Sequence, residues 1–165
     1  MPSMIDNILS VVGPYERIHE LYQGAIANRF LQTVKPIGKF AETRAIDTWG
    51  VKWEIRDPLA YTNNDVYGYG YDQWSLEMEF ESPWAPPIGA YEILHEEGLH
   101  VSGYFLNTCN LEYGGHYNNG EYHAYPLDRL PKDVVSIFNE TYDYDRLQKP
   151  PVLLEAPATE LIPAS

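Results

Sequence analysis

No lysine or arginine occurs between Arg56 and Arg129. That stretch of 72 residues holds twelve carboxylates and carries most of the net charge of −13. So one-sided a block repels nucleic acid and anionic membranes, and it suits a basic partner or a solvated surface. The chain has a single cysteine, Cys109, which forecloses an internal disulfide and fits a reducing compartment. No apolar run approaches the roughly 20 residues that a transmembrane helix needs. The first residues, MPSMIDNILSVVG, lack a basic region followed by a long apolar one, so no secretory signal is expected. There is no Walker loop, no dinucleotide-binding fingerprint, no G-x-S-x-G and no internal repeat.

What is present is bulky packing material. The 165 residues are 44% hydrophobic and include fourteen tyrosines and four tryptophans, enough for one good core. The expectation is one domain over residues 1–148, followed by an extended Pro-rich tail over 149–165, in a soluble protein of the cytoplasm. Residues 1–56 carry seven basic and six acidic groups, and residues 129–165 carry four and six. The acidity is therefore regional rather than general.

Periodicity divides the chain into elements. Met4–Val12 is rich in β-branched residues and stops at Gly13-Pro14, which predicts a strand. Ile18, Leu21, Tyr22 and Ala25 then share one helix face. Phe30–Val34 reads as a short extended segment ending at Pro36. Trp49–Arg56 (WGVKWEIR) alternates bulky and polar residues and reads as a half-buried strand. Residues 59–73, rich in Asn, Gly and Tyr, read as a long loop or hairpin tip. Trp74–Glu81 alternates cleanly, with Trp74, Leu76, Met78 and Phe80 inward and Glu77, Glu79 and Glu81 as an exposed acidic stripe. A rigid turn at Ser82–Pro87 leads to a helix over 88–97, stopped by Gly98. Leu99–Leu106 is another strand. Two shorter strands near 109–114 and 121–125 are joined by a connection from Gly114 to Gly120, in which Asn119-Gly120 favours a tight turn. Leu130-Pro131 opens a last helix near 131–141.

This order predicts an α+β fold. The expected form is a ferredoxin-like split β-α-β antiparallel sheet with helices on one face, plus an extra β-hairpin and a C-terminal helix. Two motifs carry a family resemblance over residues 4–126. Trp49-Gly50-Val51-Lys52-Trp53-Glu54 resembles the WGTKW-acid signature of the YubB-like ferredoxin-like proteins. Ser82-Pro83-Trp84-Ala85-Pro86-Pro87 resembles the Thr-x-Trp-Ser-Pro-Pro that closes a strand before a helix in that family, and Gly103 sits comparably in the next strand. The chain departs from the pattern at Val51, Ser82 and Ala85. The resemblance implies a ferredoxin-like fold and an origin in a phage or plasmid; it implies no known reaction.

The tyrosine loop, with Tyr61, Asp65, Tyr67, Tyr69, Tyr71 and Asp72, has the composition of a recognition surface, because tyrosine gives large contact area at low entropic cost. Tyr113, Tyr117, Tyr122 and Tyr125 form a second patch of this kind. The partner-binding residues expected are those of the loop together with Glu77, Glu79 and Glu81. The four tryptophans are expected to pack the core, and Lys52 to be a solvated strand residue. His95 with His100, or His116 with His123 and Cys109, lack a recognised metal-ligand spacing, so neither metal nor cofactor is expected. The expected function is non-catalytic: binding to a basic host protein, one that handles nucleic acid, so as to inhibit or modulate it. A metal-dependent enzyme and a virion component are the alternatives.

Overall fold

Strand alternation in the first segment decides the architecture. In a computed structural model, which describes residues 4–38, 42–64, 72–107 and 113–141, Met4–Pro14 forms strand β1. Ile5, Asn7, Leu9 and Val11 point to one side of it, and Asp6, Ile8 and Ser10 to the other. Helix α1 (Tyr15–Ile26) follows directly on Pro14, and buries Ile18, Leu21 and Ala25 as the periodicity predicts. Next come α2 (Phe30–Val34), α3 (Glu42–Trp49), β2 (Arg56–Asn63), β3 (Gln73–Pro83), α4 (Ile88–Glu96) and β4 (His100–Asn107). The hairpin β5 (Tyr113–Asn118) and β6 (Glu121–Pro126), a 3-10 turn at Leu127–Arg129, and α5 (Lys132–Thr141) complete the described chain. The tail expected over 149–165 lies outside the described residues.

The strands form one six-stranded sheet in the order β2-β3-β1-β4-β5-β6, every neighbouring pair antiparallel. The α+β class and the antiparallel sheet are as expected, and the order is more than a simple split β-α-β unit. One face is covered by α1 to α4, whose Leu21, Phe30, Trp49 and Tyr91 pack on Leu9, Val11, Met78 and Phe80 in the main core. Helices do not all lie on that face. Val134 and Phe138 of α5 pack with Leu106, Ile8 and Tyr104 in a separate cluster. Ile8 alternates with Leu9 on β1, so this second cluster sits on the opposite face.

Several segments differ from their sequence patterns: the connection expected over 114–120 is strand as far as Asn118, and at two further segments the causes are non-local. Phe30–Val34 is a helix because the Glu54 carboxylate accepts N–H bonds from Leu31 at 2.7 Å and Gln32 at 3.3 Å. A side chain more than twenty residues away thus caps the first turn, where Arg29 supplies no side-chain bond. Burial raises the Glu54 pKa, while those backbone donors, that of Ile55 and nearby Arg29 pull it down. Residues 49–56 are not a strand. Trp49 ends α3, with its Nε1 donating to the Lys35 carbonyl at 3.0 Å. Gly50, at φ +88°, closes the helix by donating its N–H to Ile46. Val51 and Ile55 are buried from a loop, while Trp53 is exposed. The strand comes later, over residues read as loop: β2 turns Ala60 and Thr62 inward and the larger Leu59 and Tyr61 outward.

The motifs at 49–54 and 82–87 form one unit. Gly89, in the first turn of α4, lies against the end of α3: a Cβ there would stand 2.5 Å from the Thr48 carbonyl oxygen and 2.9 Å from the Gly50 nitrogen. The Trp53 and Trp84 rings are 5.2 Å apart, and Lys52 Nζ lies 4.5 Å from the centre of the Trp84 ring. Arg17 adds a polar tie across the helical layer. Its fork grips Glu97 at 2.9 and 2.8 Å, and donates to the last carbonyls of α2, those of Thr33 and Val34.

Gly89→Ala is expected to lower stability in urea unfolding by about 2–3 kcal/mol, although alanine is the better helix former by about 1 kcal/mol, because the clash is with backbone. Glu54→Ala is expected to cost about 1–2 kcal/mol by the same measurement, with loss of helical circular dichroism from α2.

Candidate functional site

The face of the sheet opposite α1–α4 is organised in three cross-strand rows. The first runs Tyr61, Glu77, Ser10, Ser102, Asn118, Glu121. The second runs Leu59, Glu79, Ile8, Tyr104, His116, His123. The third runs Arg56, Glu81, Asp6, Leu106, Gly114, Tyr125. Each row follows from register alone, because residues directly opposite in antiparallel strands project to the same side. Helix α5 covers the middle of this face at Leu106 and Tyr104. Two areas flank it.

Over β2, β3 and β1 the face is acidic. Glu77, Glu79 and Glu81 share it as the alternation predicts, but they are half-buried rather than fully exposed. Glu77 accepts a hydrogen bond from Ser10 Oγ at 2.9 Å, and Glu81 pairs with Arg56 at 3.2 Å. Burial raises the Glu77 pKa, partly offset by the hydroxyls of Ser10 and Ser75. On the edge strand beside them, Leu59 is 69% exposed and Tyr61 is 62% exposed. Tyr61 thus joins the glutamates, directly opposite Glu77. Asp72 is exposed in the turn before β3 and belongs to none of the three rows. Asp65, Tyr67, Tyr69 and Tyr71 lie outside the described residues, as does Cys109.

Over β4, β5 and β6 the same face holds a part-open cavity of about 330 Å³. Its side chains include Tyr104, His116, Glu121, His123, Tyr125 and, from the first turn of α5, Asp133. His116 and His123 face each other across the hairpin with ring centres 5.5 Å apart. His116 Nδ1 stands 3.5 Å from Asp133 Oδ2. Burial and the Asp133 charge raise the Tyr104 pKa. Among the described residues, no group of three or more His, Cys, Asp or Glu is placed to hold a metal ion.

These cavity residues were legible in principle. The turn Asn119-Gly120 has φ of +46° and +99°, the left-handed pair of a two-residue hairpin. Once that turn is fixed, Asn118 must oppose Glu121, and His116 must oppose His123. Asp133 gave no such signal, since only tertiary packing brings α5 to the hairpin. The second tyrosine patch does not exist as one surface: Tyr117 is buried in the main core, while Tyr125 points to the opposite face.

The tryptophans divide as well. Trp49 is buried and Trp74 half-buried, whereas Trp53 and Trp84 are 37% and 41% exposed. Trp84 holds φ at +65°, a conformation strained for a bulky side chain. The turn around it is fixed by Ser82, which receives a bond from Asn7 Nδ2 at 2.8 Å and donates to the Ala85 carbonyl at 2.6 Å.

Comparison of the chain with protein-family models, with curated proteins and with solved structures finds no match.

The raised Glu77 pKa has a measurable consequence. The native state holds this proton more tightly than the unfolded chain, so the contribution to stability is full below the unfolded pKa and lost as pH rises through the native one. Glu77→Gln removes that loss. The difference in Tm, variant minus wild type, is expected to grow more positive as pH is raised from the ordinary glutamate value of 4.5 toward neutrality. A difference that stays flat over that range would contradict the burial of this carboxylate.

Proposed function

We propose that this protein binds a basic protein through the acidic half of the open sheet face, and acts by occupying that partner rather than by catalysis. One observation carries the reading. Exposed Leu59 and Tyr61, on an edge strand, stand beside Glu77 and Glu79 on one surface. Apolar anchors next to half-buried carboxylates suit a partner that offers lysine or arginine around an apolar contact. The apolar groups supply affinity, and the charges supply steering and orientation. The absence of any lysine or arginine over 57–128 removes competing cations of the chain's own from β3, β4, β5 and β6.

The finer description of the fold belongs to the same proposal. A ferredoxin-like arrangement is supported by the first four strands, which lie in the order β2-β3-β1-β4. Helices α1–α3 join β1 to β2, α4 joins β3 to β4, and each connection steps over one strand. The YubB-like resemblance, and with it an origin in a phage or plasmid, rests on the motifs at 49–54 and 82–87, whereas action on a nucleic-acid-handling protein in a bacterial cytoplasm rests on the acidity of residues 57–128. The packing of the two motifs against each other supports treating them as one inherited unit.

Affinity capture from bacterial lysate at low salt, read by mass spectrometry, tests the binding. The full chain is expected to recover a basic protein whose association rate falls as salt is raised. The combined Glu77→Gln, Glu79→Gln and Glu81→Gln variant should recover it at least about tenfold less. Equal recovery by the two proteins would refute the assignment of the surface.

A further inference from the structure

We propose that the cavity over β4–β6 is the seat of a cationic side chain, a lysine ammonium or an arginine guanidinium, presented by the partner. The inference rests on the basic-partner reading and extends it to a second, sharper contact on the same sheet face.

The lining decides the sign of the ligand. Glu121 and Asp133 bring two carboxylates, and among the described residues no lysine or arginine lines the cavity. An anion would meet two carboxylates there, with only the imidazoles of His116 and His123 to offset them. The walls decide its shape. His116 is set nearly perpendicular to three neighbours: Tyr104 at 76°, Tyr125 at 85° and His123 at 88°, with ring centres 5.5–6.3 Å from its own. His123 and Tyr125 stack at 26° with ring centres 6.5 Å apart, so they form one wall and His116 stands at right angles to it. Aromatic walls with carboxylates beside them are the chemistry that recognises an organic cation, through the ring quadrupole and a charge-assisted hydrogen bond. A volume of about 330 Å³ admits a long side chain with its terminal group and a hydration water.

Position supports the same occupant. Ser102, on the cavity side, lies in the row that contains Ser10, Glu77 and Tyr61. Two strand spacings, roughly 10 Å, separate Ser102 from Glu77. A partner lying along that row, beside the part of the face that α5 covers, could therefore engage the glutamates and the cavity together. The two contacts share one surface and one sign of charge, so field from the first raises the local concentration of the cation that enters the second.

Titration of the full chain with n-butylammonium, n-butylguanidinium and neutral butyramide, followed by proton NMR of the aromatic rings, tests this. Saturable shifts of the His116, His123, Tyr104 and Tyr125 rings are expected with a cation and not with butyramide. The stronger of the two cations identifies lysine or arginine as the guest. Tyr125→Leu and Asp133→Asn should each weaken binding about fivefold or more. Asp133 also accepts the N–H of Val134 at 2.9 Å, so Asp133→Asn can loosen α5; Tyr125→Leu leaves that bond intact. The proposal is overturned if neither cation shifts these rings, if butyramide shifts them equally, or if only Zn²⁺ does. Failure here, with partner capture still abolished by the triple glutamine variant, removes the cavity contact and leaves the glutamate surface standing. Cation binding without any captured partner does the reverse.

Discussion

Everything in this protein depends on the register of β1. It is the third of six strands, and it pairs along its length with β3 on one side and β4 on the other. Its odd-numbered residues from Ile5 to Val11 are buried on the helix-covered side, Leu9 and Val11 in the main core, and Asp6, Ile8 and Ser10 face the other way. A slip of one residue would exchange these sets, burying Asp6 and Ser10 among leucines. The same register lines up Glu77 with Ser10 and Tyr104 with Ile8. Core and surface chemistry are thus two readings of one alignment.

The helical layer is fixed by a different kind of contact. Gly89 and Gly50 let two helix ends meet backbone to backbone, and Trp49 fills the space beneath. That packing explains why an apparently ordinary strand pattern at 49–56 is nothing of the kind. Its alternation is the trace of a helix end and a loop that dips twice into the core, at Val51 and Ile55. Glu54 then holds a helix that its own local sequence, with Val34 and Thr33, would not favour. Both misreadings have one cause: the deciding partner is remote in sequence.

Where the deciding information is local, the sequence was readable. Trp74–Glu81 alternates because one side is core and the other is not, and Asn119-Gly120 makes a tight turn on chemistry alone. The pattern of β2 was illegible for the opposite reason. Its inward residues, Ala60 and Thr62, are small, and its outward ones, Leu59 and Tyr61, are large, so the usual polarity is inverted. The candidate surface shares this property. Its glutamates were visible as a stripe, but the apolar pair beside them, and the cavity two strands beyond, depend on which strands become neighbours.

The start of β2 bears on how copies of this chain behave when crowded. Asp57 takes a left-handed φ of +52°, Pro58 has no N–H to offer, and pairing with β3 shifts between Arg56 and Leu59. A long, flat, apolar edge invites strand-to-strand polymerisation, and an irregular one shortens the template. Here the regular part of the edge is reduced to Leu59–Asn63, next to a row of like charges. Two copies approaching edge to edge would bring those charges together over a stretch too short to compensate. The irregular start of β2 and the glutamates beside it both oppose strand pairing between copies through this border.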